Sequence, residues 1–249
     1  MKFKERVLYD KPKSLTDAVF SYCPGCSHST IHKLVAEVID ELNMREKTVG
    51  VSPVGCGVFG YDFWNFDVSE APHGRTPIVA TAIKRVQPDK MVFCYQGDGD
   101  LASIGMAETI QTANRGENIT VIFINNTNYG MTGGQLAPTS LIQQVTTTSP
   151  YGRDVKNYGY PVKVLELLSP LPGVKYLERV KVTDAASTIK AKKALKKAFM
   201  NQVTNVGYSM IEVLANCPTN WRKDTIESNK FVDEDMQEYY PLGVVKDTA

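Results

Sequence analysis

Apolar positions along the chain alternate between two rhythms. In 29–43, Ile31, Leu34, Val35, Val38, Ile39 and Leu42 recur every three or four residues, which predicts a helix with one buried face. The stretch 47–55 reads as a short strand ending in Pro and Gly, and 76–87 as a helix with Pro77 in its first turn. Then follow a near-continuous apolar strand (90–96), a helix (101–115) and a second buried strand (119–126). The segment 151–173 reads as a loop, a short helix and a turn. Beyond it come a strand at 175–182, a helix at 184–202 with Asp184 at its N-cap, and a strand at 208–216. Strands this apolar are covered on both faces, as in parallel sheets. The alternation predicts an α/β fold with a doubly wound, mainly parallel sheet. Residues 1–22 read as a loosely structured arm. The last thirty residues have no clear period, which divides the chain into a domain at 1–220 and a C-terminal extension at 221–249.

Composition narrows the function classes. The 249 residues are 43% hydrophobic and 22% charged, with a net charge of +1. No run of like charge suggests a nucleic-acid arm. No apolar stretch approaches the roughly 20 residues that span a bilayer. The N-terminal segment has no apolar h-region, so the expected location is the cytoplasm. Five cysteines are too few and too scattered for a disulfide scaffold. In a reducing compartment, clustered cysteines hold a metal or carry out redox chemistry.

The densest chemistry lies between Gln96 and Gln135. Asp98 follows one apolar strand and Asn126 ends the next. Parallel pairing places both at the carboxyl edge of the sheet, where open α/β folds bind ligands. Gly97 and Gly99 clear side chains from around Asp98, so a diphosphate can approach the backbone. A carboxylate, an amide oxygen and a backbone carbonyl are hard donors suited to Mg²⁺. Gly-Asp-Gly followed by Asn-Asn, with 28 positions from Asp98 to Asn126, resembles the diphosphate motif of thiamine-diphosphate enzymes. That resemblance implies Mg²⁺ held by the Asp98 and Asn126 side chains and the Asn128 carbonyl. It also implies that the backbone around Gly99, Asp100, Gly130 and Met131 faces the diphosphate.

Cys23 and Cys26 form a C-x-x-C just before the first helix, Cys56 follows the first strand, and Cys217 follows the last. All four are expected near the same sheet edge. By spacing they suit either a [4Fe–4S] cluster or a structural Zn²⁺. Cys94 lies inside a buried strand, and burial is its expected role.

Taken in order, "CPGC", "VGCG", "HGR", "GDGD" and "YGMTGGQ" with a late cysteine resemble the β subunit of the 2-oxoacid:ferredoxin oxidoreductases, from about residue 20 to 220. The resemblance implies a thiamine-diphosphate-binding fold and a [4Fe–4S] cluster on Cys23, Cys26, Cys56 and Cys217. It implies cofactor contacts from Val54, Gly55, Cys56 and Gly57, and from His73 at the diphosphate end. His28 is read as a capping residue and His32 as a helix-face residue. The implied reaction is oxidative decarboxylation of a 2-oxoacid with coenzyme A, electrons leaving through the cluster to ferredoxin. The carboxylate that activates the cofactor, and part of the substrate pocket, are expected from an α subunit with the pyrimidine-binding domain. Further γ and ferredoxin-like subunits are expected for electron exit, since the chain has no C-x₂-C-x₂-C-x₃-C-P run. Gly133 stands where a basic side chain could meet a distal carboxylate. That favours branched-chain 2-oxoacids such as 3-methyl-2-oxobutanoate, with 2-oxoglutarate next. Two alternatives stay open: a non-redox thiamine-diphosphate decarboxylase subunit, and an inactive subunit that only holds a cluster. Lys190, Lys192, Lys193, Lys196 and Lys197 are read as a solvated helix face rather than a ferredoxin dock.

Overall fold

The computed structural model describes residues 9–249. Its main sheet is built from β1 (Thr48–Ser52), β2 (Asp67–Glu70), β3 (Met91–Gly97), β4 (Thr120–Asn125), β7 (Val174–Lys181), β8 (Tyr208–Leu214) and β9 (Gly243–Asp247). A two-stranded ribbon, β5 (Asn128–Tyr129) and β6 (Gln135–Leu136), stands apart. The order across the main sheet is β2-β1-β3-β4-β8-β7-β9. Only β9 runs antiparallel.

The longer helices are α1 (His28–Glu41), α3 (Thr76–Val86), α4 (Met106–Asn114) and α7 (Ala185–Val203). Short ones are α2 (Gly60–Phe63), α5 (Val155–Tyr158), α6 (Val164–Leu168), α8 (Pro218–Trp221), α9 (Thr225–Phe231) and α10 (Gln237–Tyr239). On one face of the sheet, Ile31, Val35, Val38 and Ile39 of α1 join Leu195 and Phe199 of α7 over Phe93, Tyr95, Ile122 and Ile124. On the other, Ala80, Leu101, Ala113 and Leu165 cover Val92, Cys94, Val121 and Phe123. Alternate residues of β3 and β4 therefore enter opposite cores, which is why both strands read as continuous apolar runs. Each fully buried large side chain contributes about 1.5–3 kcal/mol.

The predicted elements form, with shifts at their ends. The helix foreseen at 101–115 opens as a wider π turn (Asp100–Ile104) before α4 begins. Asp184 caps α7 and accepts the Ser187 N–H at 2.8 Å in a reciprocal capping box. The segment 151–173 contains α5 and α6 between irregular stretches.

Two edge strands escaped sequence reading. β2 is a four-residue polar strand beside β1. β9 lies within the stretch 221–249 and pairs with β7, and Val232, Met236 and Tyr240 from the same stretch pack on Leu141 and Leu214. The part of the expected arm in 1–8 lies outside the described residues. In the remainder, Leu15 is buried and bridges to Trp64. Of the five α7 lysines, Lys192 pairs with Glu37 and Glu41, Lys196 with Glu41, and Lys197 with Asp247.

Register brings the chemistry to one edge. Gly97 of β3 lies beside Ile124 of β4, and Asn125 beside Leu214 of β8. The loops that leave β1, β3, β4 and β8 therefore carry Cys56, Asp98, Asn126 and Cys217 out at the same end of the sheet.

Candidate functional site

Asp98 is buried, and its carboxylate accepts the Gly99 N–H (2.9 Å), the Asn128 N–H (3.1 Å) and the Thr139 hydroxyl (2.8 Å). Burial pushes its pKa up to about 7 against these hydrogen bonds. No cationic side chain of the described residues pairs with it. Beside it, the Asn126 and Asn128 Oδ1 atoms are buried without a hydrogen-bond partner. A buried carboxyl and the unpartnered Asn126 amide oxygen on one cleft wall are donors of the kind that a hard divalent cation satisfies.

The turn between the two asparagines is strained and clamped. Thr127 adopts φ +56°, uncommon for a β-branched residue. Its carbonyl accepts the Ser140 hydroxyl (2.5 Å), its Oγ1 accepts Gln144 Nε2 (2.9 Å), and its N–H donates to Asn125 Oδ1 (3.2 Å). Asn125 in turn donates to Glu212, which pairs with the fully buried Arg179 at 2.8 Å. The charged network behind the sheet edge therefore braces the turn that carries Asn126 and Asn128.

Asp100, expected only to offer backbone, acts through its side chain. Its Oδ1 accepts from His73 Nδ1 (2.5 Å), the Gly74 N–H (2.9 Å) and the Val54 N–H (3.4 Å), while Oδ2 accepts from Gln96 Nε2 (2.6 Å). One buried carboxylate thus gathers the "VGCG", "HGR" and "GDGD" loops. Holding His73 by Nδ1 leaves Nε2 free for a ligand.

The expected cofactor residues line one cleft. Val54, Gly55, Cys56, Gly57, His73, Gly97, Asp98, Gly99, Asp100, Asn126, Asn128, Gly130 and Met131 all face it, together with His28, Tyr129 and Thr132. At Gly99 a Cβ would lie 2.1 Å from the Tyr129 ring, so any larger residue there would have to displace that ring.

Cys23, Cys26, Cys56 and Cys217 surround a second cavity of about 320 Å³, which shares His28, Cys56, Asn126, Gly130 and Met131 with the first. Asn216 draws the C-x-x-C loop to the end of β8: its Oδ1 accepts the Ser27 N–H (2.9 Å) and hydroxyl (2.8 Å). Burial, and then the neighbouring cysteines, pushes Cys26 and Cys56 up to about 12; Cys217 is also raised by burial. Unliganded, these three thiols stay protonated at neutral pH. Among the described residues, no three His, Cys, Asp or Glu side chains converge as ligands of a single ion; the thiols ring a cavity instead. Gly133 (φ +111°) lines this cavity, not the first cleft, and a Cβ there would meet only Gln135 Nε2, at 3.9 Å. Cys94 is fully buried in the sheet.

One histidine reading changes. Ser27, not His28, is the N-cap of α1. His28 is buried, with Nδ1 2.7 Å from the Tyr95 hydroxyl, and its pKa is pushed down by burial to about 4. His32 lies on the inward face, stacked on Trp64 and 2.9 Å from the Tyr22 hydroxyl. Thr139, Ser140, Gln144, Asn216 and Asn220 support the site but belong to no motif, and only their spatial neighbours reveal them.

A parallel sheet with a Mg-type donor set beside a glycine-lined cleft at its carboxyl edge defines a diphosphate-cofactor domain. Residues 60–213 match the thiamine pyrophosphate enzyme family, C-terminal TPP-binding domain. The ketoisovalerate oxidoreductase subunit VorA of Methanothermobacter marburgensis is 49% identical over 228 residues, covering 92% of this chain and 48% of that protein. The 2-oxoglutarate synthase subunit KorB of Methanocaldococcus jannaschii is 34% identical over 206 residues, covering 82% of this chain and 72% of that one. A solved 2-oxoglutarate:ferredoxin oxidoreductase from Magnetococcus marinus, with 2-oxoglutarate, coenzyme A and succinyl-CoA bound, shares the fold. Its TM-score is 0.78 at 24% identity, covering 98% of this chain and 87% of that one. The chain belongs to the thiamine-pyrophosphate-binding subunits of the 2-oxoacid:ferredoxin oxidoreductase family. It spans about half the length of the VorA relatives it matches. Among the described residues, no helix is long and apolar enough to cross a membrane.

Proposed function

We propose that this chain is the cofactor- and cluster-binding subunit of a cytoplasmic oxidoreductase that converts a 2-oxoacid and coenzyme A to an acyl-CoA and CO₂ and passes electrons to ferredoxin. The observation that carries the reading is the shared wall. The cavity ringed by four thiols and the cleft with the Mg-type donor set have five residues in common.

When bound, thiamine diphosphate supplies the carbanion chemistry of decarboxylation, and a [4Fe–4S] cluster accepts single electrons. The chain holds and orients these groups. Asp98 opposes the charge of Mg²⁺, the Asn126 side chain and the Asn128 carbonyl complete its protein ligands, and the N–H groups around Gly99 and Asp100 face the diphosphate. His73, fixed by Asp100, presents Nε2 at the cleft. Cys23, Cys26, Cys56 and Cys217 hold the cluster, and a ring of thiols around a cavity suits a multi-atom cluster better than one tetrahedral ion. Residues 221–249 form a C-terminal extension of the cofactor domain at 1–220.

The cofactor-activating carboxylate comes from an α subunit, and the electron exit uses γ and ferredoxin-like subunits. The substrate is a branched-chain 2-oxoacid such as 3-methyl-2-oxobutanoate, supported by the 49% identity to a ketoisovalerate oxidoreductase subunit; 2-oxoglutarate is next. The test is turnover of the complete purified complex on 3-methyl-2-oxobutanoate, 2-oxoglutarate and pyruvate, with iron, acid-labile sulfide and zinc measured per chain. Preference for the branched substrate, with iron and sulfide near four each, is expected. One tight zinc and no iron in active protein would shift the reading to a non-redox decarboxylase.

A further inference from the structure

Gly130 stands at the wall between the two cavities. A methyl group on its Cα would lie 3.3 Å from Cys56 Sγ and 3.7 Å from both Cys217 Sγ and Asn126 Nδ2. The cofactor loop therefore passes within contact distance of two thiols at this glycine.

One side chain ties that peptide to a thiol. Asn220, on α8, donates from Nδ2 to the Gly130 carbonyl at 2.6 Å, and the same Nδ2 lies 3.4 Å from Cys217 Sγ. The Asn128 side chain also approaches this sulfur. Gly134 leaves room for the clamp, since a Cβ there would lie 3.0 Å from Asn220 Cβ. Asn220 itself is pinned by the end of β8, where Pro218 opens α8 and the Trp221 N–H returns to the Cys217 carbonyl at 3.0 Å.

We infer that Asn220 is a positioning residue that couples the cofactor loop to the cluster: one amide fixes the Gly130 peptide and donates a hydrogen bond to Cys217 Sγ, setting the cluster's reduction potential and linking it to cofactor occupancy. The inference rests on the cluster reading above. An N–H directed at a ligand sulfur stabilises the added negative charge of the reduced cluster and raises its potential. Because the amide also holds a carbonyl of the cofactor loop, a cofactor that moves the loop changes that hydrogen bond. Linkage makes the effect reciprocal.

The experiment uses the full chain purified anaerobically, with iron and sulfide measured first. The cluster potential is then read by dye-mediated titration with electron paramagnetic resonance, with and without Mg-thiamine diphosphate. Asn220→Ala should titrate at a more negative potential than the unsubstituted chain. Asn220→Asp, the same shape with no donor and an added charge, should be more negative still. The cofactor-induced shift in potential should shrink in both. Asn220→Ala should also bind Mg-thiamine diphosphate roughly fivefold more weakly, about the effect of one lost hydrogen bond. Equal potentials in proteins with equal iron would overturn the inference and leave the cluster reading standing. An unsubstituted chain without iron overturns both. If the variants fail to assemble a cluster, side-chain ¹⁵N-asparagine labelling of an Asn128→Ser chain, which lacks the other amide near Cys217 Sγ, decides. Pulsed resonance of its reduced cluster should show coupling to an amide nitrogen, and the absence of that coupling refutes the inference.

Discussion

Replacing Asp98 by Asn should move the stability of the free chain and its cofactor binding in opposite directions. Asp98 is buried and its carboxyl is raised from 3.8 to about 7. A carboxyl raised in the native state contributes stability that is fully present below the unfolded value, near 3.8, and is lost as pH rises through about 7. At about 1.4 kcal/mol per pH unit, the cofactor-free chain should lose roughly 3 kcal/mol from this group between pH 5 and pH 8. Asn carries no such ionisation. It does set an NH₂ group against one of the three donors that Asp98 now accepts, which costs about 1–2 kcal/mol. The net expectation is a cofactor-free Asp98→Asn chain that is more stable than the unsubstituted one at pH 8, by about 1–2 kcal/mol, and no more stable at pH 5. Binding goes the other way. Losing the carboxylate opposite Mg²⁺ should weaken Mg-thiamine diphosphate by at least about a hundredfold, on the scale of 3–5 kcal/mol for an unbalanced buried charge. The assay is urea unfolding at pH 5 and pH 8, with and without Mg-thiamine diphosphate. An Asp98→Asn chain that the cofactor still stabilises as strongly as the original refutes the metal assignment. One that gains no stability at pH 8 refutes the burial argument.

Other expectations follow from the same geometry. Cys217→Ser should lower iron per chain, whereas Cys94→Ser, a change inside the sheet, should leave iron unchanged; metal analysis of anaerobically purified protein distinguishes them. Arg179→Met strands the Glu212 carboxylate in the core and should cost about 3–5 kcal/mol in denaturant unfolding, with most of the loss recovered in the double variant Arg179→Met/Glu212→Gln. Asp184→Ala removes the capping box of α7 and should cost about 1 kcal/mol in the same assay, with no change in cofactor affinity. The proposed division of labour, with the activating carboxylate supplied by an α subunit, predicts that the isolated chain, loaded with cofactor and cluster, does not oxidise 2-oxoacids; robust turnover by the chain alone would refute it.

The order of buried elements was legible along the chain because periodicity is local. The α1 stripe and the continuous apolar runs of β3 and β4 follow from which faces each element must cover. The gathering of Asp98, Asn126 and the four cysteines at one edge of the sheet was legible too, since Cys56, Asp98, Asn126 and Cys217 each follow a strand and Cys23 and Cys26 lead into α1. Tertiary structure alone decided the rest. β2 and β9 are only four and five residues long, and they become strands because β1 and β7 present open edges to them. The burial of His28 and His32 emerges only when Tyr95, Tyr22 and Trp64 close over them. Thr139, Asn216 and Asn220 carry ordinary side chains, and nothing in their own neighbourhoods singles them out. Ser27 meets Asn216 across 189 positions of sequence, and Asn220 reaches Gly130 across 90. A hydrogen bond between residues so far apart has no local signature: the sheet's register brings its partners within 3 Å, and only the assembled sheet expresses that register.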